Sequence, residues 1–177
     1  MSYGLPWANA SNTPFRLFKH WIHEGGISAP CVVSWGDNIK NPGRVEETPI
    51  HFIDIMPTIL ELAEAEYPRE WKGTPIHPVA GESFLSSVRE KWERKRPIFW
   101  EHEGNCGVRL GRYKLVRCYP EDFALYDMEL DRTELHDISG EHPEIKKELL
   151  KAYEEWAQET GVKSREKILE IIKNSEV

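Results

Sequence analysis

The sequence lacks the signatures on which many catalytic and binding classes depend. It holds no Gly-x-Ser-x-Gly elbow, no phosphate-binding P-loop and no Gly-x-Gly-x-x-Gly turn. The sites those motifs build therefore have no anchor here. Three cysteines, Cys31, Cys106 and Cys118, form no Cys-x-x-Cys pair. That argues against a zinc ribbon, and an odd number gives no closed disulfide framework. No apolar run reaches the roughly 20 residues of a membrane-spanning helix. The Met-Ser-Tyr-Gly start shows no basic stretch followed by an apolar one, so no secretory signal is visible. Basic residues are in short supply: 23 Lys and Arg face 30 Asp and Glu, a net charge of −7. Broad binding of nucleic acid or an acidic membrane needs the opposite balance. A local basic pocket stays open.

What is present is a chain of 177 residues, 40% hydrophobic, long enough for one sizeable core and a small appendage. Seven tryptophans suggest aromatic packing or a surface that meets another. Phe15, Phe18, Trp21 and Ile22 fall at helical spacing, which predicts a helix over 15–23 that Gly25 and Gly26 stop. "APCVVSW" reads as a short buried strand. Asp54 can cap, and Pro57 can open, a helix through "IMPTILELA". "SFLSSVREKWE" predicts a further short helix. From Arg96 the pattern changes. "RPIFWEHEG", "CGVRLGRYKLVRCY" and "FALYDME" read as three strands with turn glycines between them. "HPEIKKELLKAYEEWAQET" is an amphipathic helix, with Pro143 at its start and Gly161 just past its end. The order predicts an α/β layer moving into α+β, an antiparallel sheet covered by one helix. The first half has too few strands for a sheet of its own, so its strand edges await a partner.

One stretch, "FKHWIHEGGISAP" over 18–30, packs Lys19, His20, His23 and Glu24 before two glycines. It could be a metal site, an anion site or the solvated end of a helix. The histidines are three apart with Glu24 outside the pair, unlike the i, i+4 spacing of zincins. Cys31 reads as a core residue, and nothing specific surrounds Cys106 or Cys118. The acidic run Asp122, Asp127, Glu129, Asp131 and Glu134 lacks EF-hand spacing and reads as a solvated loop.

Four phrases, in order, settle the matter by resemblance. "YGLPWANASNTPFRLFKHWIHEGGISAP", "HFIDIMPTILELA", "PIFWEHEGNCGVRLGRYKLV" and "ALYDMELDRTELHDIS" resemble the C-terminal part of the arylsulfatase family of the alkaline-phosphatase-like superfamily, over roughly residues 3 to 160. The resemblance implies an incomplete piece of an alkaline-phosphatase-like α/β sheet, followed by a small antiparallel sheet packed on a C-terminal helix. The implied divisions are 1–95 for the last part of the α/β domain, 96–162 for the sheet subdomain and 163–177 for a charged tail.

Lys19, five residues before Glu24, matches the family's sulfate-binding lysine. Its implied role is catalytic, because a fixed ammonium stabilises charge building on sulfate oxygens as the S–O bond breaks. Glu24 and the glycines are implied to be structural, the glycines allowing a sharp turn. His23 and His102 could line the substrate pocket, whereas His20 is expected to face solvent.

The family also uses calcium and a formylglycine made within a Cys-x-Pro-Ser-Arg type motif. The nearest phrase, "CYPED" from Cys118, lacks the arginine, and the metal motifs are absent. Gly36 and Cys106 stand where proline and arginine are expected. No cofactor or metal is therefore expected in this chain, and by itself it is expected to be inactive. Calcium and formylglycine belong to the full-length family member. The leading reading is a C-terminal fragment of a sulfate-ester hydrolase. It would pair with its missing N-terminal segment, or self-associate through the exposed sheet face. The alternative is a non-catalytic module binding a sulfated glycan or a partner protein, with Trp7, Trp21, Trp71 and Trp100 available to stack on sugars. Localisation stays open, since such relatives are often exported.

Overall fold

The computed structural model describes residues 4–175. In chain order its main elements are α1 (Leu5–Ser11), α2 (Glu24–Ile27), α3 (Ile55–Leu62), the two-residue strands β1 (Glu70–Trp71) and β2 (Thr74–Pro75), β3 (Ile98–His102), β4 (Asn105–Leu110), β5 (Tyr113–Arg117), β6 (Ala124–Asp127), α4 (Pro143–Thr160) and α5 (Arg165–Ser175). They fall into two compact units. One joins Met1–Pro30 to Pro97–Val177, and the other is Cys31–Arg96.

The first unit is built on an antiparallel sheet of order β3-β4-β5-β6. Its strands alternate two apolar faces, as a two-residue period requires. Cys106, Val108, Leu115 and Leu125 point to one side and pack on Leu149 and Tyr153 of α4. Phe99 stacks on Trp156 there, centroids 5.0 Å apart and planes 6° from parallel. Fully burying an aliphatic side chain such as Leu149 contributes about 1.5–3 kcal/mol. Val116, Tyr126 and Met128 point to the other side and pack on Ile22. A side chain at Gly107 would meet Ile22 Cγ2 at 3.0 Å, so the segment before α2 lies close on the sheet. The helix α4 starts with Pro143 and ends at Gly161, whose φ of 72° is left-handed, as the sequence predicts.

The predicted three strands are four. The middle phrase folds back on itself at Gly111–Arg112, where Gly111 has φ 56°, and supplies both β4 and β5. The predicted helix over 15–23 does not form. Leu17 and His20 have φ of 65° and 106°, values that end a right-handed helix. The backbone there is held by longer-range partners instead: Asn12 Nδ2 donates to Leu17 O (3.1 Å) and Arg16 Nη1 donates to Glu134 O (3.0 Å). The glycines do not stop a helix; they lie inside α2. A Cβ at Gly25 would stand 2.3 Å from Arg16 O, and one at Gly26 would stand 2.0 Å from Trp21 O. Only glycine lets this turn of helix lie against the loop before it.

The second unit is held by polar groups. Among its described residues no apolar side chain is buried, whereas Asp54 is fully buried. Arg94 grips Asp54 with two bonds, Nη1 to Oδ2 at 2.5 Å and Nη2 to Oδ1 at 3.0 Å. Asp54 also accepts the N–H groups of His51 (2.7 Å) and Glu82 (3.0 Å). Burial pulls the Asp54 carboxyl upward, but Arg94 and these two N–H groups outweigh it, and the net direction is down. Val32 and Phe52 are 90% and 85% exposed. Most of the apolar residues of α3 are exposed too. The stretch 29–35, predicted as a strand, is irregular and unpaired among the described residues. The predicted helix over 83–93 reduces to the 3₁₀ turn Leu85–Val88. There Ser83 Oγ and Thr58 Oγ1 take the N–H groups of Leu85 and Phe84, the competition with helix bonds that hydroxyl side chains offer.

Candidate functional site

The segment 18–24 crosses one face of the sheet and divides its side chains into two sets. Ile22, His23 and Glu24 are buried, and Lys19 and His20 are exposed. The helical spacing of the sequence would have put His20 and His23 on one face. The left-handed turn at His20 separates them.

In the buried set, Glu24 meets Lys114, which the sequence did not single out, and Glu134, which the sequence placed in a solvated loop. Lys114 Nζ, on β5, lies 3.0 Å from Glu24 Oε1 and 2.8 Å from Glu134 Oε1, and each of the three side chains is at most 5% exposed. The Glu24 N–H donates to Glu134 Oε2 at 2.7 Å, and Arg132 Nη2 lies 3.5 Å from Glu24 Oε2. Burial raises both carboxyls. At Glu24 the ammonium of Lys114, with help from Arg109 and Arg132, reverses this, and the net direction is down. At Glu134 burial prevails over Lys114 and the net direction is up. The set is close to electrically balanced and closed to solvent, so it is structural.

His23 is 4% exposed and its ring lies 6.3 Å from that of Tyr126. Its buried Nδ1 has no hydrogen-bond partner. Burial first, then Lys114 and Arg16, push its imidazole down to about 3, so it is neutral at pH 7.

In the exposed set, Lys19 forms no ion pair among the described residues. Beside it, His20 meets His102 edge to face at 5.0 Å, and its Nε2 lies 3.1 Å from Asn105 Nδ2. The structure therefore brings together the loop of Lys19 and the β3–β4 hairpin that carries His102. Of the predicted site residues, Lys19 and His102 are on this exposed side and His23 is not; His20, expected in solvent, is part of the group. An exposed ammonium without a counter-charge can hold an anion, and Lys19 precedes His20 in the chain.

The remaining polar groups are committed elsewhere. The acidic run is only partly the solvated loop expected: Asp122 and Glu129 are exposed, but its other three members are engaged. Asp127 pairs with Arg112, Asp131 accepts the N–H groups of Leu135 and His136 at 2.7 and 2.8 Å, and Glu134 is the partner of Lys114. A cleft of about 250 Å³ lies between the sheet and the α4–α5 junction, edged by Arg117, Tyr119 and Arg165. Two of its side chains are engaged with carboxylates, Arg165 on Glu103 at 2.9 Å and Tyr119 on Glu166 at 2.8 Å. Among the described residues no three His, Cys, Asp or Glu side chains gather to hold a metal ion.

One face of the short sheet is backed by a helix, and the Glu24-Gly25-Gly26 turn lies across the other. The family model described as N-sulphoglucosamine sulphohydrolase, C-terminal, matches residues 15–159. The chain belongs to this family. It is similar to an uncharacterized sulfatase of Schizosaccharomyces pombe, 34% identical over 168 residues that cover 90% of this chain and 30% of that protein. It is also similar to a sulfatase of Formosa agariphila, 29% identical over 151 residues, 75% of this chain and 26% of that one. The crystal structure of Ps i-CgsB in complex with k-i-k-neocarrahexaose shares the fold, with a TM-score of 0.52 at 19% identity over 62% of this chain and 24% of that one. The chain spans less than a third of the length of these relatives. The resemblance read from the four phrases, and the small antiparallel sheet packed on a C-terminal helix, are borne out.

Proposed function

We propose that this chain is the C-terminal part of an arylsulfatase that hydrolyses sulfate esters, and that Lys19 supplies the cation facing the sulfate oxygens. The observation that carries this reading is the contrast between Lys19 and the buried cations of the chain. Lys114 and Arg94 are buried in ion pairs, and Lys19 stands exposed without a counter-charge among the described residues. Negative charge builds on the leaving oxygen as the S–O bond breaks, and a fixed ammonium stabilises it more than it stabilises the ground state. His102 and His20 flank the same anion. His23, which the sequence also suggests as a substrate ligand, is buried and neutral, so the proposal leaves it in the core.

The formylglycine and calcium that the resemblance implies for the full-length protein have no fitting residues here. Cys106 is buried, Cys31 and Cys118 lack the modification motif, and the carboxylates Glu24, Glu134 and Asp54 are bound to Lys114 and Arg94. The nucleophile and metal ligands would come from sequence outside this chain. The exposed apolar surface of Cys31–Arg96 would be covered by that same sequence.

A second reading, a module that binds a sulfated glycan without turning it over, is favoured by Trp7 and Trp71, which are 70% and 65% exposed. Hydrolysis of 4-nitrophenyl sulfate by a full-length protein carrying these residues separates the readings. Lys19→Ala is expected to lower kcat by about 10²–10³-fold, the effect of losing one oxyanion-stabilising group, with little change in Tm. Unchanged kinetics would remove Lys19 from the site, and absent turnover in the parent would leave the binding module.

A further inference from the structure

We infer that Asn105 is a positioning residue that fixes His20 as its neutral Nδ1–H tautomer, so that the imidazole meets the sulfate ester at Lys19 as a hydrogen-bond donor. This rests on the reading of Lys19 given above.

Asn105 is 3% exposed and opens β4 opposite His102. Each end of its amide has a partner of fixed character. Oδ1 accepts the backbone N–H of Tyr119 at 3.0 Å, and a backbone N–H can only donate. Nδ2 donates to His102 O at 3.2 Å and approaches His20 O at 3.5 Å, and a carbonyl can only accept. The orientation of the amide is thus set by groups that have no choice. The same Nδ2 lies 3.1 Å from His20 Nε2. A donor there requires a lone pair on Nε2, so the ring proton of the neutral imidazole sits on Nδ1. An imidazolium would set two donors against each other. Among the described residues no carboxylate pairs with His20 to favour that form; the rings against it are those of His102 and Trp21. Among the described residues Nδ1 has no hydrogen-bond partner, and the residue is exposed.

The backbone supports the same conclusion. His20 has φ 106°, a region that L side chains rarely occupy and that surrounding structure must enforce. The turn that places His20 next to Asn105 also takes its ring away from His23 and the core. Lys19 then provides charge, and His20 provides a directed donor whose geometry is fixed from a buried amide.

The test is a sample of this chain labelled with ¹⁵N-histidine and ¹⁵N-lysine, with histidine ring nitrogens read by long-range ¹H–¹⁵N correlation and Lys19 by its amide at pH 8. The expected result is a protonated Nδ1 and an unprotonated Nε2 on His20, and a shift of the Nδ1 resonance on titration with 4-nitrophenyl sulfate. In Asn105→Asp the carboxylate can still accept from Tyr119, and it offers an acceptor to the ring, so Nε2 of His20 is expected to become protonated. A protonated Nε2 in the unmodified chain, or an Nε2 that stays unprotonated in Asn105→Asp, overturns the inference. A titration that moves Lys19 signals and leaves His20 Nδ1 unmoved also overturns it, and leaves the Lys19 reading standing. A titration that moves neither overturns the Lys19 reading and takes the donor role with it.

Discussion

Replacing Lys114 by methionine removes the one cation that two buried carboxylates share. Its Nζ is 3.0 Å from Glu24 and 2.8 Å from Glu134, and its side chain is fully buried. The side chains are similar in length, so packing is nearly kept and electrostatics dominates. Breaking a buried pair by deleting one partner costs about 3–5 kcal/mol, because the remaining charge is left without compensation. For a chain of this size 1 kcal/mol moves Tm by about 2–4 °C, so the expected fall is about 6–20 °C. The loss depends on pH in a definite direction. Burial already holds the Glu134 carboxyl above its ordinary value; without Lys114 the largest offset to that burial is lost, and Glu134 binds a proton in the native state. A raised native carboxyl stabilises at low pH and loses that contribution as pH rises. The deficit against the unmodified chain is therefore largest above pH 7 and shrinks toward pH 5. Urea unfolding at both pH values measures it. The triple variant Glu24→Gln, Lys114→Met, Glu134→Gln, which removes the three buried charges, is expected to recover more than half of the loss. A Tm unchanged within about 1 °C in Lys114→Met, or a triple variant no better than the single one, would refute the reasoning.

Three further outcomes follow from the same geometry. His23 is held neutral, down to about 3, whereas an unfolded histidine takes its proton near pH 6.5. The native chain should therefore lose up to ~1.4 kcal/mol per pH unit from this residue as pH falls below 6.5, and His23→Phe should flatten that slope in urea titrations at pH 7 and pH 5. Equal slopes would sink this account of His23. Gly26→Ala places a Cβ 2.0 Å from Trp21 O and is expected to cost about 3 kcal/mol or more; a two-state melt indistinguishable from the parent would contradict the close approach. Asp54→Asn leaves Arg94, 4% exposed, facing a neutral amide, at a cost of about 3–5 kcal/mol above pH 5. Because the Asp54 carboxyl sits below its usual range, the gap between parent and variant should close as pH falls under about 4, which proteolysis rates across pH 3–7 would show.

The parts of the fold governed by local rules were legible. Pro143 and Gly161 bracket α4 because a proline fits a first helical turn and a glycine takes a left-handed cap. The alternation in "PIFWEH" and "YKLVR" marks strands with two buried faces. Elements governed by distant partners were not. The apolar spacing of Phe15, Phe18, Trp21 and Ile22 imitates a helix, yet the turn is set by Arg16 reaching Glu134 and by the carbonyls that press on Gly25 and Gly26. "APCVVSW" has strand composition but no strand beside it. Of the proposed site, Lys19 and His102 were suggested by resemblance and Asn105 was not; in the buried set, Lys114 went unremarked and Glu134 read as a solvated loop residue. Glu24 finds its partners 90 and 110 residues away, which no local spacing reveals. A faint signal existed: Lys114 stands within the apolar run Tyr113–Val116 of β5, and a charged residue there must have a partner to be tolerated.

The placement of Lys114 also bears on how the strands choose their alignment. In β5 it sits between Tyr113 and Leu115, opposite Arg109 on β4 and Tyr126 on β6. A slip of one residue reverses the faces of a strand. It would carry the ammonium under α4, among Leu149, Tyr153 and Cys106, and would lay Leu115 against two carboxylates. Apolar alternation alone discriminates weakly here, because both faces of β5 are buried and either would accept leucine or valine. The buried lysine makes the misaligned hairpin expensive on both faces at once. It thereby acts as an indexing pin for the sheet, and through the hairpin order it fixes where His102 and Asn105 stand relative to Lys19.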